Sequence, residues 1–356
     1  MPRSVDLAAW VEGVWYGDGV GARLGRAMLA PASWGYLRVA RHRGERAAAA
    51  AMAGGVPAIP ALSIGNLTVG GTGKTPVASW AVSRLQGAGA SPAILLRGYG
   101  DDEWRVHQQL TPGVPVLTGA DRRASAQVAE ARGCDCVVMD DAFQHRQAPR
   151  VADWVLVSAD RWPAAVRVLP QGPFREPLTA LQRASAVVIT TKAAGAGAVE
   201  VVRSAVAMVA PDVPVAVLHL RLDGVRHAGG CVPAVAGVPS LTSLGSVLAV
   251  SAIGNPEAFE RQLEAAGVVI RHRERFRDHH TFRDGEVDRL VQMGRGCDGV
   301  VCTLKDAVKL APRWPATAVP LWYVSQTVQV VSGREGLDGD IARLLAARPA
   351  AVPTAG

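Results

Sequence analysis

From Ile59 onward the chain alternates short apolar runs with longer segments of helical period. Residues 59–64, 93–96, 114–117, 136–139, 154–157 and 187–190 are largely apolar runs of strand length, and residues 77–85, 124–132 and 199–209 repeat apolar side chains at helical spacing. Strands alternating with helices predict an α/β fold, a largely parallel sheet flanked by helices. A Gly- and Pro-rich stretch from Gly229 to Gly245 then reads as a boundary. Beyond it the pattern resumes, with strands at 247–253, 268–271, 300–303 and 319–324 and helices near 257–266 and 286–293, which predicts a second, smaller α/β domain. Three units are expected: an N-terminal segment over 1–50, a core domain over 51–228 and a C-terminal domain over 229–356, with a frayed tail after Arg348.

The first fifty residues follow another pattern. Trp10, Val11, Val14 and Trp15 cluster at helical spacing, and Leu24, Met28 and Leu29 follow. Next come Trp34, Tyr36, Leu37 and Val39, interleaved with Arg38, Arg41, Arg43 and Arg46. Such an amphipathic helix suits an anionic membrane surface, and equally a helix packed on its own domain. The longest uncharged stretch, 47–73, is broken by Gly54, Gly55, Pro57 and Pro60 and cannot form a spanning helix. Asp6 and Glu12 fall where the apolar core of a secretory signal would run.

Composition narrows the partners. With 49% apolar and 19% charged residues the 356-residue chain is globular, and its net charge of +7 favours anionic ligands. Only five Phe and four Tyr are present, without an aromatic-basic RNA-binding pattern, so nucleic acid is not an expected partner. No obligate protein partner is evident. Cys134, Cys136, Cys231, Cys297 and Cys302 make no zinc-site spacing and read as buried thiols of a reducing compartment.

The decisive segment is Thr68-Val69-Gly70-Gly71-Thr72-Gly73-Lys74-Thr75, which follows one apolar run and opens a helical one. That strand–loop–helix context gives a phosphate-binding loop its meaning. Glycines let backbone N–H groups converge on phosphate oxygens, Lys74 reaches the β- and γ-phosphates, and the Thr75 hydroxyl ligates Mg²⁺. Thr68 replaces the usual first glycine. Only four of 38 basic residues are lysines, yet this position keeps the compact ammonium. The chain is expected to bind a nucleoside triphosphate on an α/β fold of P-loop NTPase type, a largely parallel sheet flanked by helices. Neither asparagine, Asn66 or Asn255, begins a guanine-reading Asn-Lys-x-Asp motif, which disfavours a GTPase.

Cys136-Val137-Val138-Met139-Asp140 is an apolar strand ending in an acid, followed by Asp141. At the carboxyl end of a strand near the phosphate loop, Asp140 and Asp141 are candidate Mg²⁺ ligands. Arg97-Gly98-Tyr99-Gly100 with Asp101-Asp102-Glu103 occupies another strand end, and Asp278-His279-His280 sits among arginines in the C-terminal half.

These blocks together resemble the tetraacyldisaccharide 4′-kinases, the lipid A 4′-kinase family of Gram-negative bacteria. The resemblance runs through Gly65-Asn66 and the phosphate loop, Arg97-Gly98-Tyr99-Gly100, Asp140-Asp141 with Phe143-Gln144-His145, and Leu169-Pro170-Gln171-Gly172-Pro173-Phe174-Arg175-Glu176-Pro177. Gly254-Asn255-Pro256, Asp278-His279-His280 and Lys305-Asp306-Ala307-Val308 complete it. It implies transfer of the ATP γ-phosphoryl group to the 4′-hydroxyl of an acylated glucosamine disaccharide 1-phosphate, with Mg²⁺, by a peripheral enzyme at the cytoplasmic face of the inner membrane. It carries the general base onto Asp102, assisted by His279, alongside Lys74 and Asp141 as catalytic groups. Arg97, Tyr99, Arg122, Arg123, Arg175 and Glu176 are the expected substrate-binding residues. The sequence departs from the family pattern where Asp101 follows Gly100 directly, at Ala142 after the acid pair, and at Leu304 before Lys305.

Overall fold

The computed structural model describes residues 7–53, 59–98, 102–230, 240–278 and 280–349. Tyr99, Gly100, Asp101, Cys231 and His279 lie outside the described residues. Two helices open the chain, α1 (Leu7–Tyr16) and α2 (Val20–Ala53). The first half then runs β1 (Ala61–Asn66), α3 (Lys74–Gly87), β2 (Pro92–Leu96), α4 (Glu103–Leu110), β3 (Val116–Thr118), α5 (Arg122–Ala131), β4 (Cys136–Asp140), β5 (Ala152–Ser158), β6 (Ala186–Thr191) and α6 (Ala196–Val209). The second runs β7 (Val215–Gly229), β8 (Ser246–Ser251), α7 (Pro256–Ala265), β9 (Val269–Arg275), α8 (Asp284–Gly294), β10 (Gly299–Thr303), α9 (Leu304–Leu310), β11 (Leu321–Ser332) and α10 (Arg334–Ala346).

All eleven strands join one sheet in the order β3-β2-β4-β1-β5-β6-β7-β11-β10-β8-β9. Every pairing is parallel except β7 with β11. Strands β1, β2, β4 and β6 are buried along their whole length, which is why they read as largely apolar runs without polar alternation. At one edge, β9 carries Arg271, Arg273, Glu274 and Arg275, charges that blunt an exposed strand. The mostly parallel, helix-flanked sheet is the expected fold class.

The antiparallel pair decides where the site forms. Thr191, the last residue of β6, pairs with His219 of β7, and Thr303, the last residue of β10, pairs with Val324 of β11, itself opposite Val225 of β7. The two parallel sets therefore run in opposite senses, and their carboxyl ends meet near the middle of the β7–β11 ladder. Open α/β sheets bind ligands beyond strand carboxyl ends, and here two such edges confront each other.

One core face packs α3 and α10 on the sheet. Val77, Val82 and Leu85 of α3 share a cluster with Leu62, Ile64, Trp154, Leu337, Ile341 and Leu344. Trp80 lies 5.9 Å from Trp154, whose Nε1 donates to Asp340 Oδ2 at 2.8 Å. The last helix thus returns from the C-terminal half to cover the first.

Helices α1 and α2 are tied to residues 167–176. Trp15 Nε1 donates to Pro170 O at 2.8 Å, and Ser33 Oγ accepts from Gln171 N at 2.9 Å. Tyr36 Oη donates to Arg175 O at 3.0 Å.

Candidate active site

The phosphate loop leaves β1 at Asn66 and ends at Lys74, the first residue of α3. Asn66 braces it from inside: Nδ2 donates to Thr68 O at 2.8 Å and to Thr72 Oγ1 at 3.0 Å. Thr190 Oγ1 donates to Thr72 O at 2.8 Å from the end of β6. Gly73 has φ +86°, and a Cβ there would lie 2.3 Å from Leu220 Cδ1, so neither the backbone nor the space admits a side chain. No side chain caps α3, which leaves its first N–H groups and dipole for an anion. Residues 70–75 line a cleft of about 260 Å³. Thr68 and Val69 lie behind it: Thr68 bridges to Phe174, and Val69 N donates to Pro173 O at 2.9 Å.

Asp140 ends β4, the neighbour of β1, and Asp141 follows with φ +51°. Asp140 Oδ1 accepts from Asp141 N at 2.8 Å, and its Oδ2 lies 2.9 Å from Nε2 of the fully buried His107. Asp141 gathers two cations, with Lys74 Nζ at 3.4 Å and Arg175 Nη1 at 3.1 Å. Burial pulls the Asp141 pKa upward, but Lys74 and Arg175 outweigh it and hold the carboxyl below its ordinary value. Gln144 completes the group, its Nε2 donating to Asn66 O at 2.8 Å and its Oε1 accepting from Arg175 Nη1 at 3.3 Å.

Thr75, Asp140 and Asp141 present hard oxygen donors to one cleft, the ligand type Mg²⁺ takes. Among the described residues no three His, Cys, Asp or Glu side chains form a closed metal cage. A Mg²⁺ held by one or two carboxylates with substrate phosphates and water needs no such cage.

The C-terminal half supplies the facing wall. Ile253, Gly254, Asn255, Phe259, Gln262, Asp278, Thr303, Lys305 and Gln326 line the same cleft. A Cβ on Gly254 would lie 3.7 Å from Gly71 N and 3.1 Å from Asp278 Oδ2, so this turn closes over the phosphate loop. Asp102, directly before α4, is 7% exposed and pairs with Lys309 Nζ at 2.8 Å. Lys309 also donates to His280 O at 3.2 Å, linking the aspartate to the last residue of the Asp-His-His block. His280 itself faces away, its Nε2 2.9 Å from Glu286 Oε2 and its ring stacked on Phe276.

The expected substrate residues divide. Arg97 and Arg175 line the cleft, and Glu176 pairs with Arg183 at 2.9 Å. Arg122 is buried and donates to Gly119 O at 2.7 Å and Asp140 O at 3.3 Å; burial pushes its pKa down to about 10. Arg123 sits in the first turn of α5, its N–H on the Asp121 cap at 2.9 Å.

The family model for Tetraacyldisaccharide-1-P 4′-kinase matches residues 25–346. The chain belongs to this family. A tetraacyldisaccharide 4′-kinase of Anaeromyxobacter dehalogenans is 34% identical, over 94% of this chain and 95% of the relative. The tetraacyldisaccharide 4′-kinase of Azorhizobium caulinodans is 35% identical, over 83% and 88%. Among solved structures, the LpxK of Aquifex aeolicus in complex with ATP superposes with a TM-score of 0.64 at 22% identity, covering 90% of this chain and 99% of that one, a likeness of fold.

In this member of the 4′-kinase family, sequence reasoning overlooked His107 and Lys309, which hold Asp140 and Asp102. A compositional signal existed for Lys309. The chain has four lysines: Lys74, Lys192 and Lys305 line the cleft, and Lys309 lies one helical turn after Lys305. His107 carried no signal, since a lone histidine on a short helix resembles any core histidine.

Proposed function

We propose that this cleft aligns the γ-phosphoryl group of ATP with the 4′-hydroxyl of a tetraacyldisaccharide 1-phosphate. As a member of its family the protein is an ATP-dependent 4′-kinase of lipid A biosynthesis. The observation that carries the residue assignment is the convergence of Lys74 and Arg175 on Asp141 at the mouth of the phosphate loop. N–H groups of residues 70–75 cradle the phosphates, and Lys74 and Arg175 balance charge that develops on the transferred group. Thr75, Asp140 and Asp141 would hold Mg²⁺, which when bound neutralises phosphate charge. His107 and Arg122 keep the end of β4 in place.

Asp102 accepts the proton of the sugar hydroxyl in this reading, its carboxylate oriented by Lys309. His279 is the assisting group in the same reading. Arg97, Tyr99, Arg123, Arg175 and Glu176 would bind the acceptor in this reading, and of these Arg97 and Arg175 line the cleft. Arg122, engaged with two carbonyls, serves better as a brace than as a ligand.

The protein acts peripherally at the cytoplasmic face of the inner membrane. Among the described residues no helix is long and apolar enough to cross a membrane. Instead α2 exposes Leu24, Met28, Trp34 and Val39 beside Arg38, Arg41, Arg43 and Arg46, an arrangement suited to an anionic interface holding an acylated substrate. The deciding experiment combines purified protein, ATP, Mg²⁺ and tetraacyldisaccharide 1-phosphate and maps the new phosphate. Phosphorylation at the 4′ position is expected; transfer elsewhere, or none, rejects the reading.

A further inference from the structure

Gln262, on α7, is 8% exposed and belongs to the C-terminal wall of the cleft. Its Nε2 donates to Leu220 O at 2.8 Å and to Lys192 O at 3.3 Å. Both partners are carbonyls, which accept only, so the amide cannot be turned over and its oxygen is fixed on the other side. That oxygen, Oε1, is buried and has no hydrogen-bond partner. A buried acceptor left unpaired is unfavourable enough that a donor is expected to meet it.

The surroundings say what kind of donor. The acid pair and Lys74 fix the γ-phosphate end of the cleft, and residues 70–73 the stretch behind it. Leu220, whose carbonyl holds Gln262, has its side chain against Gly73, so Gln262 stands just beyond the loop. Phe259, Ile253 and Val324 add apolar surface to the same cleft, as a planar heterocycle requires. The nearby carboxylate of Asp160 already accepts from the backbone N–H groups of Lys192, Ala193 and Ala194, at 2.7, 2.7 and 2.8 Å.

We propose that Gln262 reads the base of the phosphoryl donor, its Oε1 accepting a hydrogen bond from the exocyclic amine of adenine. Guanine presents a carbonyl at the corresponding position, which would oppose Oε1 and be rejected. The inference rests on the cleft being the ATP site, and the test separates the two. Purine riboside triphosphate lacks only the exocyclic amine, so the ratio of kcat/KM for ATP to that for this analogue isolates the contact. Wild type is expected to favour ATP by about tenfold, the worth of one well-made neutral hydrogen bond. Gln262→Met, similar in length but without an acceptor, is expected to bring the ratio within about twofold of one and to relax discrimination against GTP. If Gln262 only braces α7 against β7, the variant slows both nucleotides alike and the ratio stays near ten, which overturns the proposal. A wild-type ratio near one overturns it as well, without need of a folded variant. ATP that neither raises the melting temperature of wild type nor supports transfer overturns the ATP assignment itself.

Discussion

Lys74 is partly exposed and belongs to no hydrophobic core, so its loss should affect chemistry and not folding. Lys74→Ala is expected to abolish measurable transfer while the nucleotide-free melting temperature stays near wild type; the rise on adding ATP should shrink. Wild-type turnover in this variant would reject the phosphate-loop assignment. Asp102→Asn keeps shape but removes the proposed proton acceptor, and kcat should fall by roughly 10²–10⁴-fold with little change in the KM for ATP. A kcat within about threefold of wild type, where chemistry limits turnover, would move the base elsewhere. His145 predicts a pH effect. Burial, then the charges of Arg122, Arg150 and Arg97, push its pKa from 6.5 down to about 4, so the fold holds it neutral. As pH falls from about 6.5 to 4 the unfolded chain takes up the proton first, and stability drains away across that window. Asp153 opposes it: burial outweighs Arg150 and raises that carboxyl from 3.8 to about 6, a contribution lost as pH rises through the same range. The difference between wild type and His145→Gln in urea midpoint is therefore the readout. The variant should lose less stability on acidification, and parallel pH curves would contradict the assignment. Loop glycines, Lys74 and the acid pair were legible in sequence because their chemistry demands fixed spacing. Gln262 and His107 were not, because their roles arise only when distant elements meet.

Elements were legible where one physical signal dominated. The buried strands of the first half and α3, α5 and α6 stand within a few residues of where apolar periodicity puts them. So do β8, β9, β10, α7 and α8 of the second half, whereas charged or glycine residues hid β7, α10 and the end of β11. Arg221, Asp223, Gly224 and Arg226 interrupt the alternation of β7, so a fifteen-residue strand passed for the approach to a linker. Gly336 and Gly339 weaken the helical pattern of α10, and β11 runs on to Ser332 through Gln326 and Gln329. The expected linker falls partly at 231–239, outside the described residues. Helix α10 yields an element-scale prediction, since Leu337 and Leu344 are fully buried in the core beneath the phosphate-loop helix. Either leucine changed to alanine should cost about 2–5 kcal/mol in urea unfolding. A loss below about 1 kcal/mol would show that α10 is dispensable to the first half.

Across the whole molecule, the joining of both strand sets through β7 and β11 was out of reach of local pattern. It depends on pairings between residues about a hundred positions apart, such as Val225 with Val324. Periodicity identifies strands but not their neighbours. The proposed membrane-binding role of α2 gives a prediction at this scale. Reversing Arg38, Arg41, Arg43 and Arg46 to Glu should sharply weaken binding to anionic vesicles, at about 1 kcal/mol for each basic residue near the surface. Added salt should weaken wild-type binding in the same sense. Unchanged vesicle binding in the reversed protein would make α2 an ordinary packed helix.

The four lysines have a consequence for chemical labelling. A guanidinium resists acylation at neutral pH, so on a surface charged by arginine the side-chain primary amines are confined to the cleft and its edge. Burial lowers the pKa of Lys192, leaving more of its amine unprotonated and nucleophilic. A mild amine-reactive ester should therefore behave as an affinity reagent for this molecule without any designed recognition element. Mass spectrometry should find its adducts at Lys74, Lys192 and Lys305, and saturating ATP should suppress them while a modified N-terminus persists.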